Sequence, residues 1–283
     1  MISDGARLPA SAPCKGPAVE VQMSRIEPSD RARSEADEKA FFARYYAEQR
    51  YHPVGWRLRM QRDLRVLREA AGARGLGNVL SIGCGDGAFE LLMAEHAASV
   101  LAVDLSPEAI AVAQRARDAS GASGAANLEF RCVSFRDLPR HQNFDTIVCL
   151  AFLHHVPAAE LPGFLLACHD QLAPAGLFFS QDPNVNGVLR AIGRLVLGRG
   201  YDKYHSPDER ELDPSELASQ LRDAGLRDVA LRHVDLTLIP ACYVIRRGPG
   251  LPLRLLASLD RAWCATPLAP WSSGFAAWGR RAG

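Results

Sequence analysis

Between Asn78 and Asp182 the chain alternates short β-rich runs with helical stretches, and that rhythm admits few folds. The runs fall at residues 79–83, 99–105, 128–134, 144–150 and 177–181. Strands separated by helices pair in parallel through right-handed crossovers, which predicts a doubly wound α/β sheet. Ligands of such a sheet lie beyond the carboxyl ends of its strands.

The flanking regions read differently. Residues 1–35 mix Pro, Ala, Ser and alternating charges without apolar periodicity. Ordering them would bury too little to offset the entropy lost, so they are expected to form a disordered leader. Residues 36–75 turn helical, with Phe41, Phe42, Tyr45, Tyr46, Tyr51 and Trp56 ahead of Leu58, Leu64 and Leu67. This N-terminal helical cap either packs on the core at 76–183 or covers a ligand with Tyr45, Tyr46 or Trp56. Within 184–283, Val188, Leu189, Ile192, Leu195 and Val196 predict a helix. A polar loop at 198–207 follows, carrying Tyr201, Lys203, Tyr204 and His205. Asp213 then caps a helix over 214–226, and a strand is expected over 228–240. Residues 241–270 combine Leu253, Leu255, Leu256, Leu259 and Trp263 with Arg246, Arg247 and Arg254. Such a helix can fill the core between the last strands, roof an apolar pocket, or make peripheral contact with a membrane. A last strand is expected near 274–278.

Charge narrows the partners. Thirty-three Lys and Arg against 32 Asp and Glu leave a net charge of +1, so no long-range field draws in a nucleic acid, and none is expected. The seven cysteines are odd in number and lack C-x-x-C spacing, which fits buried thiols in a reducing compartment. With no long apolar span and no signal-peptide core in the sequence, a cytoplasmic location is expected.

The first strand runs into a helix through Gly83-Cys-Gly-Asp-Gly, three alternate glycines. Glycine permits positive φ and removes the Cβ, so a ligand can touch the backbone, and a helix start offers N–H groups to an anion. Alone the loop is ambiguous. Gly83, Gly85 and Ala88 also satisfy the dinucleotide fingerprint, with Asp104 about 20 residues on at the end of the second strand. An acid there accepts both ribose hydroxyls of any adenosine ligand.

The downstream motifs separate the readings. They are Asp104-Leu-Ser, Phe144-Asp followed by an apolar strand ending Leu153-His-His-Val, and Leu172-Ala-Pro-Ala-Gly. With the glycine loop, these four resemble the class I S-adenosylmethionine-dependent methyltransferases of the small-molecule, LHHV-containing type. The resemblance covers residues 77–183 and extends loosely to 225. It implies a Rossmann-like, doubly wound seven-stranded sheet, mostly parallel with an antiparallel last strand, plus N-terminal helices and a C-terminal helical insertion over the acceptor site. It implies S-adenosylmethionine as cofactor, S-adenosylhomocysteine as product and a small-molecule acceptor.

The resemblance also implies roles. Gly83, Cys84, Gly85 and Gly87 would border the methionine part, Asp104 would hold the ribose diol and Leu105 would pack on adenine. Ser134 stands where many relatives carry an acid for the adenine amino group, so its hydroxyl or the backbone of Phe135 would serve. Leu150 would face the methionine part through its carbonyl. Ser81 stands where relatives often have an acid, two residues before the first glycine, which puts charge support for the cofactor's ammonium in doubt.

Methyl transfer from a sulfonium is an in-line displacement, helped chiefly by positioning and exclusion of water. A base is needed only when the nucleophile must lose a proton, and His154 or His155, just past the fourth strand, suits that task or simply shapes the turn. Neighbouring histidines are expected to point apart with no acid nearby, so no metal site is expected. The expected function is methylation of an O, N or C atom of a small, apolar metabolite. The alternatives are an NAD(P)-dependent oxidoreductase and a non-catalytic methyltransferase-like module.

Overall fold

A computed structural model describes residues 52–121, 126–139, 142–197, 209–245 and 247–283. The leader 1–35, the front of the cap with Phe41, Phe42, Tyr45, Tyr46 and Tyr51, the loop residues Tyr201, Lys203, Tyr204 and His205, and Arg246 lie outside the described residues.

Seven strands form one sheet in the order β3-β2-β1-β4-β5-β7-β6. They are β1 (Asn78–Ile82), β2 (Ser99–Asp104), β3 (Leu128–Cys132), β4 (Phe144–Leu150), β5 (Leu172–Pro183), β6 (Arg227–Val234) and β7 (Gly274–Arg280). The first five pair in parallel, and β7 lies antiparallel between β5 and β6. The Rossmann-like, mostly parallel sheet with its antiparallel last strand is therefore present as expected. β5 is longer than its apolar run because the Leu172–Gly176 turn joins it irregularly, with a register shift opposite Phe144 and Ala175 at φ 60°.

Helices cover both faces. On one lie α1 (Pro53–Ala71), α2 (Ala88–Ala94) and α3 (Pro107–Ala119), whose Leu67, Met93 and Ala113 pack with Val79, Val148 and Phe179 of the sheet. On the other lie α4 (Leu161–Gln171) and α6 (Pro214–Asp223), whose Leu165 and Leu221 meet Leu80, Ile147 and Phe178. Each such fully buried Val, Leu, Ile, Met or Phe side chain contributes roughly 1.5–3 kcal/mol. Asp213 caps α6 as expected, its carboxylate accepting the N–H groups of Ser215 and Glu216.

The C-terminal part departs from expectation at residues 235–244. The strand expected over 228–240 stops at Val234, because Asp235 takes φ 64° and turns the chain. The buried Asp260 carboxylate then accepts the N–H groups of Thr237 and Leu238, which starts helix α7 (Leu238–Val244) from an apolar run that reads as strand. Helix α8 (Leu251–Trp263) follows. Leu238, Cys242 and Leu253 bury against one another and against Leu58 of α1. The core reading of 241–270 thus holds for one face only: Leu251, Leu255 and Leu259, spaced at i, i+4 and i+8, are exposed. Helix α5 (Val188–Leu197) likewise exposes Ile192, Leu195 and Val196. Among the described residues no helix is long and apolar enough to cross a membrane.

Candidate active site

The glycine loop is built by one carbonyl. Gly83 N and Cys84 N both donate to Val103 O, at 2.8 and 3.1 Å, folding the exit of β1 over the end of β2. Gly83, Gly85 and Gly87 take φ of 72°, 55° and 73°, which L side chains rarely adopt. Space forbids a side chain as well. A Cβ on Gly83 would sit 2.3 Å from the Phe152 ring, and one on Gly87 would sit 2.5 Å from Phe130.

Asp104 is wired into that loop. Its Oδ2 accepts Gly85 N at 2.8 Å and its Oδ1 accepts Ser106 N at 2.9 Å, so acid and loop move as one unit. Burial pushes its carboxyl up, and the two backbone donors oppose the shift. Leu105 follows half-buried beside it. Phe152 was not anticipated by the sequence reading. Its ring lies on Gly83 and 5.5 Å from Phe164, forming an aromatic wall where β4 ends.

The third and fourth strands give plainer results. Ser134 lies two residues past β3 and its hydroxyl accepts Arg136 N at 3.3 Å, capping the single turn Phe135–Asp137. The Phe135 ring faces the core, 5.2 Å from Phe164. Leu150 ends β4 half-buried, with its side chain against the α1 face of the core. After it Ala151 turns at φ 53° and donates to Gln181 O at 2.7 Å.

His154 and His155 form one turn of 3-10 helix with Leu153. His154 is buried, and the wholly buried Asp182 at the end of β5 holds it twice: Oδ1 lies 3.3 Å from the His154 backbone N and 3.0 Å from Nδ1. Nε2 faces Glu209 Oε1 at 3.8 Å. Burial pushes the Asp182 carboxyl up to about 7, against the pull of the His154 N–H. The two imidazoles do not point apart. Their centroids are 4.1 Å apart, and donor atoms of His154, His155 and Glu209 all lie within 4.8 Å of one another. The geometric argument against a metal is thereby corrected: the short turn stacks the rings, and the chain returns an acid from beyond β5. Neither Asp182 nor Glu209 was singled out, since only the fold brings them to the histidines.

One further acid was missed. Ser81 on β1 donates from Oγ to Glu90 Oε1 of α2 at 2.6 Å, with both residues buried. A carboxyl therefore stands behind the strand position that lacks one.

A glycine loop closed to side chains, an acid at the end of β2 and an aromatic wall fit the adenosine and amino-acid ends of S-adenosylmethionine. Comparison with known proteins points the same way. Residues 79–176 match the family model of the methyltransferase domain. A ubiquinone biosynthesis O-methyltransferase of Xanthomonas euvesicatoria pv. vesicatoria is 35% identical over 168 residues, which is 56% of this chain and 64% of that one. The chain thus spans less than two thirds of that relative's length. Among solved structures, an S-adenosylmethionine-dependent methyltransferase from Archaeoglobus fulgidus superposes with a TM-score of 0.51 at 18% identity, covering 80% of this chain and 94% of that one. The [4+2]-cyclase SpnF superposes with a TM-score of 0.52 at 19% identity, covering 78% and 80%. At such identities the two structures speak for the fold. The sequence matches show likeness to a methyltransferase domain over residues 79–176.

Proposed function

We propose that this chain transfers a methyl group from S-adenosylmethionine to a small, apolar acceptor, at a hydroxyl oxygen in the first instance. The observation that carries this is the union of the glycine loop with Asp104, set in a sheet whose antiparallel β7 departs from the all-parallel 3-2-1-4-5-6 dinucleotide order. The relative's printed name, a ubiquinone biosynthesis O-methyltransferase, supports methylation at oxygen.

In this reading Asp104 holds the ribose diol, Leu105 packs on adenine, and Gly83, Cys84, Gly85 and Gly87 border the methionine part. The adenine amino group meets the backbone at Ser134 and Phe135, because the Ser134 hydroxyl already caps a turn. The Leu150 carbonyl faces the methionine part, and Phe152 helps exclude water. When bound, the cofactor supplies an electrophilic methyl on a cationic sulfur. His154 receives the acceptor's proton: an ionised Asp182 fixes the Nδ1–H tautomer, so Nε2 is the basic nitrogen, and the imidazolium that forms lies between Asp182 and Glu209. His155 packs on that ring. The part at 184–283 covers the acceptor. The exposed Leu251, Leu255 and Leu259 stripe, beside Arg254 and Arg261 on the same helix, makes the peripheral membrane contact through which an apolar acceptor arrives.

Calorimetric titration with S-adenosylhomocysteine and with NADP, followed by radiolabelled methyl transfer into lipid and aqueous cell extracts, tests this. S-adenosylhomocysteine binding, no NADP binding and label in the lipid extract are expected. NADP binding alone would return the chain to the oxidoreductases, binding of neither would make it a non-catalytic module, and label confined to the aqueous extract would remove the apolar acceptor.

A further inference from the structure

Glu90 is the third residue of α2, between the core residues Phe89 and Leu91, and only 2% of it is exposed. One carboxylate oxygen accepts from Ser81 at 2.6 Å, and the other, Oε2, is buried with no hydrogen-bond partner. Its electrostatic surroundings are hostile to charge. Burial acts first; the Ser81 hydroxyl and Glu90's own backbone N–H oppose it only in part, and Asp86 and Asp104 add like charge, so the carboxyl is pushed up to about 8. An apolar side chain would satisfy a short helix packed on β1 better than a carboxyl with an orphaned oxygen. Something other than the packing of α2 accounts for this acid.

Its place in the chain suggests what. Ser81 stands two residues before Gly83, the position from which relatives present an acid to the amino-acid end of the cofactor. Here the strand offers a hydroxyl, and the hydroxyl is spent on Glu90. Serine is too short to carry charge but fits between the strand and α2, so the acid sits one layer back, on the helix that the glycine loop starts.

We propose that Glu90, drawn into its charged form when a cation lies over the glycine loop, supplies from α2 and through Ser81 the negative charge that supports the ammonium of the cofactor's methionine end. Glu90 is a positioning residue: it acts through the serine and the loop. A cation over the loop removes the repulsion among Glu90, Asp86 and Asp104, and those acids in turn favour a ligand that carries the cation. This inference rests on the cofactor reading above.

The test compares two ligands that share the adenosine part. S-adenosylhomocysteine carries the ammonium and 5′-methylthioadenosine does not. Glu90→Gln keeps the shape and can still accept from Ser81, so its fold is expected to survive, and thermal unfolding recorded alongside checks that it does. The variant is expected to weaken S-adenosylhomocysteine by about tenfold, the scale of one hydrogen-bonded charge, and to leave methylthioadenosine within about twofold. The double variant Ser81→Asp/Glu90→Gln, which returns the acid to the strand, is expected to recover most of the lost preference. Equal weakening of both ligands, an unchanged S-adenosylhomocysteine affinity, or no recovery in the double variant would each overturn the proposal. Wild-type protein that binds neither ligand would instead remove the cofactor reading on which it stands.

Discussion

Asp182 spends one oxygen on both the backbone N and Nδ1 of His154, so the acid sets the turn and the ring together. The two roles separate by measurement. Asp182→Asn and His154→Gln are each expected to lower kcat by about 10²-fold or more, the usual contribution of a positioned base, while S-adenosylhomocysteine affinity stays within about twofold because the loop and Asp104 are untouched. Were the pair only a turn former, His154→Gln would keep its kcat, or cofactor affinity would fall together with it. At this scale the placement of Gly83 to Gly87 and Asp104 was legible because it is local: they occupy consecutive strand exits, where the fold leaves little choice. Asp182 carried no such local signal, because it lies 28 residues from the His154 it holds. Glu90 carried a faint signal, an acid inside the apolar Phe89-Glu-Leu-Leu-Met run, nine residues from a strand position missing its own.

The elements that carry the sheet were readable from periodicity, as was helix α8 of its C-terminal cover, but α7 was not. Leu236-Thr-Leu-Ile has strand composition, and the distant Asp260 carboxylate, with Asp235 accepting Ile239 N, turns it helical. The packing of α7 on α1 depends on a comparable long-range coincidence. A Cβ on Gly55 of α1 would lie 2.1 Å from Cys242 Sγ, far inside contact distance. Gly55→Ala is therefore expected to destabilise the fold by about 1–3 kcal/mol despite alanine's better helix propensity, since overpacking outweighs a gain of at most about 1 kcal/mol. Combining it with Cys242→Ala, which removes the opposing sulfur, should recover most of that loss in thermal unfolding. If the two losses merely add, the helices do not meet at this point.

Over the whole molecule the buried acids impose a pH dependence opposite to the usual one. Burial dominates for each: Glu90 is pushed up to about 8, Asp182 to about 7, and Asp235 to about 6 even though Arg62 lies 3.3 Å away. A folded-state value above the unfolded one means that the native protein binds more protons, so stability falls as pH rises between the two values. The contribution is complete below the unfolded values near 4 and is lost progressively up to about pH 8, whereas acids held by surface partners lose stability on acidification. Wild-type protein is expected to be less stable at pH 8.5 than at pH 6 by on the order of 4 kcal/mol, a drop of roughly 8 °C or more in Tm for a chain of this size. Glu90→Gln has no proton to lose, so its Tm should exceed that of wild type at pH 8.5 and converge with it toward pH 5. A Tm profile that Glu90→Gln leaves parallel to wild type from pH 5 to 8.5 would show that Glu90 is already ionised in the folded state. Added S-adenosylhomocysteine should flatten the wild-type profile toward that of the variant, because a cation over the glycine loop draws Glu90 toward its charged form before the pH does.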